Sequence, residues 1–336
     1  MNLNNIVAEQ FKSDFKLTSP NTKSKHPWHL EHLHADFIEL KALFWQQDEW
    51  LTLSDVIEDY KDNHEDLEDE ESETDEVGSD VTDKNDKLLS KFISIFQLLK
   101  DRKIVFEDDY PFEIDTVNNY IKLPNTNFSE KQLLYLNLLI SSNLNNFNKS
   151  VHSILTKDFE KIAAKAMEGY FPKAIIREFG KNTTYKGNTI KKINNLSTEL
   201  NLYKREDEVN KLAITAAQEK GLDLLAYIPF TDSVSSMVIV LGQCACGKNW
   251  VDKTGETYNY ETYLDFYKLN PIHSIFIPYS LLINSRLGFY QSEKLFNRLL
   301  FERKRILESI QDLSFFLQLN SYKIVQKSIS VVAFEV

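Results

Sequence analysis

Two short apolar runs in the second half of the chain are separated by polar, turn-forming residues. The runs are Leu224–Phe230 and Met237–Gly242, and this pattern predicts two buried strands joined as a hairpin. If residues 231–235 form the turn, Asp223 lies directly across from Gln243, about 5 Å away at Cβ. The two polar side chains then meet where the apolar runs end, whereas a slip of one residue would turn Gln243 to the other face.

Apolar residues at helical spacing predict helices on both sides of this hairpin. The predicted helices are Trp28–Tyr60, Lys87–Lys100, Phe128–Asn148, Thr156–Tyr170, Ile190–Tyr203, Asp207–Lys220 and Gln291–Leu317, with a further helix opening at Asn249. Two more strands are predicted at His273–Tyr279 and Ser328–Val336. This order predicts an α+β protein, in which a helical interaction or specificity region (residues 1–150) precedes a domain with a central mixed sheet flanked by helices (residues 151–336).

The composition is typical of a protein of the reducing cytosol. With 336 residues, 42% of them hydrophobic, the chain is long enough to bury two cores. Two cysteines do not make a disulfide scaffold, and the first residues have neither the basic nor the apolar region of a secretory signal. The apolar runs are too short to span a membrane. We therefore expect a cytoplasmic protein without a membrane partner.

One acidic block accounts for most of the formal net charge of −11, because nine of the twelve residues from Glu65 to Glu76 are Asp or Glu. Without this block, 39 basic residues face 41 acidic ones, so the rest of the chain is nearly neutral and a nucleic-acid partner is not excluded. Like charges repel, and the block has a single apolar residue, so we expect a disordered loop at residues 61–86. Such a loop is either only solvated or a phosphate mimic that covers a basic cleft.

A basic segment follows at Phe171–Lys192, where six basic residues face one acidic residue. Aromatic residues and two glycines are interleaved with them. Basic side chains neutralise phosphates and aromatic rings stack on bases, so this segment is a candidate nucleic-acid surface. A solvated helix face with a lysine-rich loop explains the same pattern. The basic residues are Lys173, Arg177, Lys181, Lys186, Lys191 and Lys192.

Two segments flanking the hairpin carry the candidate chemistry: Gly-Leu-Asp at 221–223 and Gln-Cys-Ala-Cys-Gly-Lys-Asn-Trp-Val-Asp-Lys at 243–253. Together with Glu160 on a preceding predicted helix, they resemble the PD-(D/E)XK nuclease superfamily, which has the restriction-endonuclease-like fold. The second segment is similar to a divergent branch of bacterial proteins, several of them in anti-phage defence. The resemblance covers residues 154–308, under half of the chain.

The resemblance implies a metal-dependent phosphodiesterase. Asp223 would be the central ligand of Mg²⁺ or Mn²⁺, and Gln243 would offer its amide oxygen where many relatives have Glu. The backbone carbonyl of Cys244 would be a further ligand, and Glu160 would reach the ion directly or through water. Mg²⁺ prefers hard oxygen ligands and keeps several waters, so few protein ligands suffice.

The chain departs from the family pattern at the lysine that orients the attacking water and stabilises developing charge. The family places this lysine two residues after the acid, and here that position is Ala245. Lys253 is the first substitute and Lys248 is the second. If neither reaches the site, the fold persists without catalysis.

Each of these residues also has a purely structural explanation. Asp223 follows a glycine and suits a turn, and Gln243 at a strand end can bond only to backbone. Glu160 can be an ordinary exposed helix residue. Cys244 is more typical of a small buried hydrophobe than of a nucleophile, which would need a partnered base such as His273.

A histidine cluster opens the first predicted long helix. His26, His29, His32 and His34 lie within nine residues, and two of them three residues apart can share a helix face and bind Zn²⁺. No paired motif recurs downstream, which favours a structural role at the helix start.

The leading hypothesis from the sequence is Mg²⁺-dependent cleavage of nucleic acid, DNA before RNA, in bacterial defence. The alternative is a catalytically silent nuclease fold that binds nucleic acid or a partner subunit. A third hypothesis is an interaction protein that uses residues 1–150 to bind another defence component or a second copy of itself. Metal-dependent cleavage separates the first hypothesis from the others, and salt-sensitive binding separates the second from the third.

Overall fold

The computed structural model describes residues 2–20, 29–45, 49–63, 81–180, 183, 185–212, 221–232, 234–267, 269–283, 288–289 and 297–331. Within these ranges the fold is α+β, as predicted, with a central mixed sheet flanked by helices and a helical N-terminal region. The chain divides into two compact units. Unit 1 comprises residues 1–151, 279–291 and 321–336, and unit 2 comprises residues 152–278 and 292–320.

The elements are named here in chain order. The α-helices are α1 (Leu3–Gln10), α2 (Leu30–Phe44), α3 (Leu53–Asp62), α4 (Val81–Phe106), α5 (Glu130–Ser142), α6 (Lys149–Tyr170), α7 (Thr189–Leu200), α8 (Glu206–Asn210), α9 (Asn259–Tyr263), α10 (Arg303–Ser309) and α11 (Asn320–Ser330). The strands are β1 (Leu51–Thr52), β2 (Glu113–Asp115), β3 (Tyr120–Lys122), β4 (Ile175–Glu178), β5 (Tyr203–Lys204), β6 (Leu224–Ile228), β7 (Val238–Cys244), β8 (Leu264–Asp265), β9 (Ile272–Phe276), β10 (Leu282–Ile283), β11 (Gly288–Phe289) and β12 (Leu299–Phe301).

Unit 1 is mainly helical and is built around α2, which is buried along nearly its whole length. Reciprocal hydrogen bonds between a cap residue and the residue three positions later stabilise the start of two of its helices. Ser129 accepts a hydrogen bond from the backbone of Gln132 at the start of α5, and Thr52 and Asp55 form the same reciprocal box at the start of α3. A small antiparallel sheet in the order β1-β3-β2 completes the described core of this unit.

A buried ionic cluster, here called the Arg102 cluster, lies inside unit 1. The Arg102 guanidinium contacts the carboxylates of Asp36 and Glu39 at 2.7 and 2.8 Å. Glu39 also accepts hydrogen bonds from the hydroxyls of Tyr110 and Tyr135 at 2.8 and 2.9 Å. Because every member is buried, these contacts replace the hydration that the charges lose on folding.

Unit 2 contains the five-stranded sheet, in the order β12-β9-β7-β6-β4. Strand β6 is antiparallel to both of its neighbours, whereas β7, β9 and β12 are parallel to one another. The predicted hairpin register is confirmed, since Leu224 pairs with Gly242 and Ile228 with Val238. The ends of β4 and β7 and the start of β6 therefore meet at one edge of the sheet.

The two faces of the sheet pack differently. On one face, Leu225, Leu241 and Ile239 join a core with apolar residues of α7 and α9. On the other face, a Cβ built on Gly242 would lie 2.9 Å from the Met167 side chain of α6. Helix α6, which carries Glu160, is thus held against β7 at the point where no side chain intervenes.

Three predicted elements are wrong. The predicted helix at residues 28–60 ends at Phe44, and β1 and α3 follow because Thr52 and Asp55 start a new helix. The predicted helix at residues 291–317 contains β12 instead, since Leu299–Phe301 pairs in parallel with β9 and Glu302 then caps α10. The predicted strand at residues 328–336 is helical in α11 as far as Ser330.

Other predicted elements are confirmed with different ends or lie outside the described residues. Helices α4, α5, α6 and α7 and strand β9 occur where periodicity predicts them. The flanks of the predicted acidic loop are helical in α3 and α4, and the acidic block itself lies outside the described residues. Helix α8 covers the start of the helix predicted at residues 207–220, and residues 213–220 lie outside the described residues.

Candidate active site

Asp223 is hydrogen-bonded to β7 and to the two residues that directly follow β4. Its backbone N–H donates to the Gly242 carbonyl at 2.9 Å, and its carbonyl accepts from the N–H groups of Phe179 and Gly180 at 2.7 and 3.0 Å. Its side-chain Oδ2 accepts from the N–H of Cys244 at 2.8 Å. The carboxylate therefore has a fixed place, directly before β6 and beside the ends of β4 and β7.

Gly180 brings the carboxylates of Asp223 and Glu160 together. A Cβ built on Gly180 would lie 2.7 Å from Asp223 Oδ1 and 2.9 Å from Glu160 Oε2, which is closer than Cβ atoms approach other atoms. Both carboxylates thus occupy the space that any other side chain at this position would fill. Glu160 is buried on α6, with 6% of its surface exposed, so it is not an ordinary exposed helix residue. We call these two acids the carboxylate pair.

The Cys244 thiol lies in the field of the same carboxylates. Its pKa is raised well above the ordinary value, first by burial and then by the charges of Asp223 and Glu160, with a smaller contribution from Glu178. Burial also raises the pKa of Glu178, at the end of β4. A thiol with a raised pKa is a poor nucleophile at neutral pH, which argues against a cysteine hydrolase.

Gln243 makes a second contact beside the pair. It is buried, and its amide Nε2 donates a hydrogen bond to the carboxylate of Glu256. Glu256 in turn packs on Gly221, where the backbone has φ of +83° and a Cβ would be 2.1 Å from the Glu256 Cβ. Sequence reasoning missed Glu256, because only the folding of the segment after β7 brings it to Gly221 and Gln243.

The two lysines predicted from the sequence are exposed. Lys248 lies in the turn after β7, and Lys253 ends the short 3-10 helix Trp250–Lys253. Ala245, at the family's lysine position, is buried. The structure thus places neither predicted lysine in the interior beside the carboxylate pair.

Lys192 of α7 is buried near the pair, with 5% of its surface exposed. Its ammonium donates to the Phe179 carbonyl at 3.1 Å and lies 5.5 Å from the centre of the Phe179 ring. Phe179 directly precedes Gly180, so Lys192 contacts the backbone segment against which the carboxylate pair packs. From the sequence, Lys192 was identified only as one of the six basic residues of the basic segment, with no role at the site.

The basic segment is divided between core and surface. Phe179 and Tyr185, which were candidates for base stacking, are buried in the core of unit 2. Lys173, Lys186 and Lys191 are exposed, whereas Lys181 lies outside the described residues. The described part of the segment therefore offers lysines to a polyanion but few free aromatic faces.

The described histidines of the cluster are packed inside unit 1. His29, His32 and His34 are buried, and the His34 ring packs edge-on against Tyr60 and Phe92. Burial, and then the charge of Arg102, lower the pKa of His32 to about 3, so this ring is neutral at physiological pH. His26 lies outside the described residues.

Searches for known relatives found none: no protein-family model matches the chain, and neither does a curated protein or a solved structure. Among the described residues, no group of three or more His, Cys, Asp or Glu side chains is placed to hold a metal ion. No helix in the same ranges is long and apolar enough to cross a membrane.

Proposed function

We propose that this protein hydrolyses phosphodiester bonds of nucleic acid with the help of a divalent cation. The observation that carries the proposal is the carboxylate pair, in which Asp223 and Glu160 come together over Gly180 at a sheet edge. Neighbouring carboxylates disfavour each other's charged form, and a cation bound between them relieves this repulsion. The resemblance to PD-(D/E)XK nucleases proposes the same two residues from the sequence, independently of this geometry.

The pair suits Mg²⁺ or Mn²⁺. Mg²⁺ binds through one or two carboxylates and keeps several waters, so a set of three protein side chains is not needed. Asp223 and Glu160 would hold the ion, and Gln243 stands beside Asp223 in the hairpin register as a further oxygen donor. When bound, such an ion polarises the phosphoryl oxygen and lowers the pKa of an attacking water.

The residues around the pair restrict its movement. The N–H groups of Phe179, Gly180 and Cys244 fix the backbone and side chain of Asp223. A groove of about 530 Å³ runs along the edge strand β4, and its charged lining residues are Lys161, Lys165, Glu168 and Glu178. The groove lies beside helix α6, which also carries Glu160, and we propose DNA before RNA as the nucleic acid that the protein cleaves.

The setting that we propose is bacterial anti-phage defence in the cytoplasm, with unit 1 as the part that binds a protein partner or a second copy. A catalytically silent fold that binds nucleic acid is the second candidate. The burial of Ala245 at the family's lysine position favours it, together with the exposed positions of Lys248 and Lys253.

The test is cleavage of supercoiled plasmid by the full chain in Mg²⁺, Mn²⁺ or EDTA. We expect metal-dependent nicking that Asp223→Ala lowers by about 100-fold or more, because it removes the central ligand. Gly180→Ala inserts a methyl group between the carboxylates and should lower the rate about 10- to 100-fold, since small misplacements of reacting groups are costly.

Gly247→Ala is the matched control, because a Cβ built on Gly247 meets nothing within 4 Å. Its cleavage rate should equal that of the wild type. If wild type neither cleaves plasmid nor binds Mn²⁺ in a manner that depends on Asp223, the hydrolase proposal fails. Salt-sensitive DNA binding without cleavage would then support the silent fold.

A further inference from the structure

We propose that Lys192 is a positioning residue for the carboxylate pair: it holds the Phe179–Gly180 peptide, against which Asp223 and Glu160 pack, and so sets their affinity for a divalent cation. The inference rests on the proposed metal-dependent function. It assigns the buried lysine a role that differs from the catalytic role considered for Lys248 and Lys253.

The contacts form a short chain from Lys192 to the pair. The Lys192 ammonium binds the Phe179 carbonyl at 3.1 Å. The N–H groups of Phe179 and of Gly180 both donate to the Asp223 carbonyl. The carboxylates of Asp223 and Glu160 then lie where the Gly180 side chain would be. A movement of this peptide therefore displaces Asp223 and changes its position relative to Glu160.

Helix α7 gives Lys192 a fixed base. Asn188 caps the helix by accepting a hydrogen bond from the N–H of Lys191 at 3.1 Å. Near its other end, Glu199 accepts hydrogen bonds from Arg177 Nε at 2.8 Å and from the Tyr227 hydroxyl at 2.7 Å. Arg177 lies on β4 and Tyr227 on β6, so the helix is tied to two of the strands that meet at the pair.

The burial of Lys192 agrees with positioning rather than with direct contact with substrate. A buried ammonium needs hydrogen-bond partners, and the Phe179 carbonyl supplies one. Residues that orient metal ligands from behind typically change metal affinity or activity 10- to 100-fold when they are removed. Lys192 occupies such a place relative to Asp223 and Glu160.

The sign of the change separates positioning from simple charge. If Lys192 acted only through its charge, its removal would strengthen binding of a cation to the neighbouring carboxylates. If it acts by holding the peptide, its removal weakens binding, because the two acids no longer keep their arrangement. Affinity for Mn²⁺, measured without nucleic acid, decides between these outcomes.

The experiment is calorimetric titration of the full chain with Mn²⁺. We expect Lys192→Met to lower the affinity about tenfold or more and Lys192→Arg to stay within about threefold of the wild type, because arginine keeps the charge and the donors. Lys204→Met is the matched control. Lys204 is a largely buried lysine of unit 2 that binds Asn194 and Glu206, and its loss should leave Mn²⁺ affinity unchanged.

Unchanged or higher Mn²⁺ affinity in folded Lys192→Met overturns the inference. If circular dichroism shows that this variant does not fold, Lys192→Gln, which keeps a donor but not the charge, replaces it, and a higher Mn²⁺ affinity in that variant overturns the inference. A wild-type protein that binds no Mn²⁺ overturns the proposed function and this inference with it. Plasmid cleavage by wild type, with full Mn²⁺ affinity in the lysine variant, overturns only the inference.

Discussion

The Arg102 cluster of unit 1 and the carboxylate pair of unit 2 both bury acidic side chains, but they do so differently. In unit 1, Glu39 accepts hydrogen bonds from one guanidinium and two hydroxyls, and every member of the cluster is buried. In unit 2, Glu160 is buried while Asp223 is half-buried, and the two acids lie against the same glycine. In unit 1 the acids share one guanidinium, whereas in unit 2 two carboxylates share the space beside one glycine.

The difference teaches how to tell a structural charge cluster from a candidate site. Acids that are matched with a buried cation and with hydroxyls hold a fold together, and removing one partner leaves an uncompensated charge. Acids placed beside each other cost stability, and such a cost is typical of places that bind a ligand. The chain can be altered at each place to test this distinction.

The largest effect is expected in the Arg102 cluster. Arg102→Met should lower the free energy of unfolding of unit 1 by about 3–5 kcal/mol, because Asp36 and Glu39 would remain buried without their cation. Hydrogen exchange of the α2 amides measures this loss. The control is Lys131→Met, which removes a partly exposed pair with Asp109 and should cost less than about 1 kcal/mol. Equal losses in both variants would contradict the prediction.

Glu302 in unit 2 tests whether burial alone costs stability. Burial raises its pKa from the ordinary 4.5 to about 7, although the N–H of Arg305 donates to it. Between about pH 4.5 and pH 7, the folded state therefore keeps a proton on Glu302 that the unfolded state has lost. The contribution of this proton to the free energy of unfolding is complete below about pH 4.5 and is lost as the pH rises through 7.

We expect the wild-type protein to lose on the order of 3 kcal/mol of stability from this source between pH 5 and pH 8. Glu302→Gln stays neutral and should lack this loss, which urea unfolding at the two pH values measures. Glu308→Gln, an exposed acid on the same helix, is the control. A pH dependence in Glu302→Gln equal to that of the wild type would show that Glu302 does not titrate in this range.

The smallest and most telling effect concerns Glu160. Glu160→Gln removes one of two neighbouring negative charges, so it should raise the free energy of unfolding by about 0.5–1 kcal/mol in EDTA while it weakens Mn²⁺ binding. Thermal melting with and without Mn²⁺ measures both effects. Glu39→Gln provides the contrast, because it removes a matched acid and should destabilise. A loss of stability in Glu160→Gln would place Glu160 with the structural cluster.

The sequence predicts the hairpin well because its apolar runs and its turn agree on one register. It does not predict β4. Ile175–Glu178 lies within a highly charged segment and is only half-buried, so the segment does not show the apolar pattern of a paired strand. The strand β12 was missed because Leu299 and Leu300 also fit helical spacing.

For the site, the sequence predicts Asp223 and Glu160 through resemblance, but only the fold shows that Gly180 brings them together. Lys192 and Glu256 were missed for a different reason. Each reaches its partner through contacts between segments that are distant in the chain, and no local pattern marks such a contact.

The interleaving of the two units along the chain has a consequence for the rate of folding. Residues 1–151 and 321–336 both belong to unit 1, although most of unit 2 lies between them in the chain. Contacts between such distant segments form only after a long loop has closed, and loop closure has an entropic cost. We therefore expect unit 1 to complete its fold only after its local helix contacts have formed.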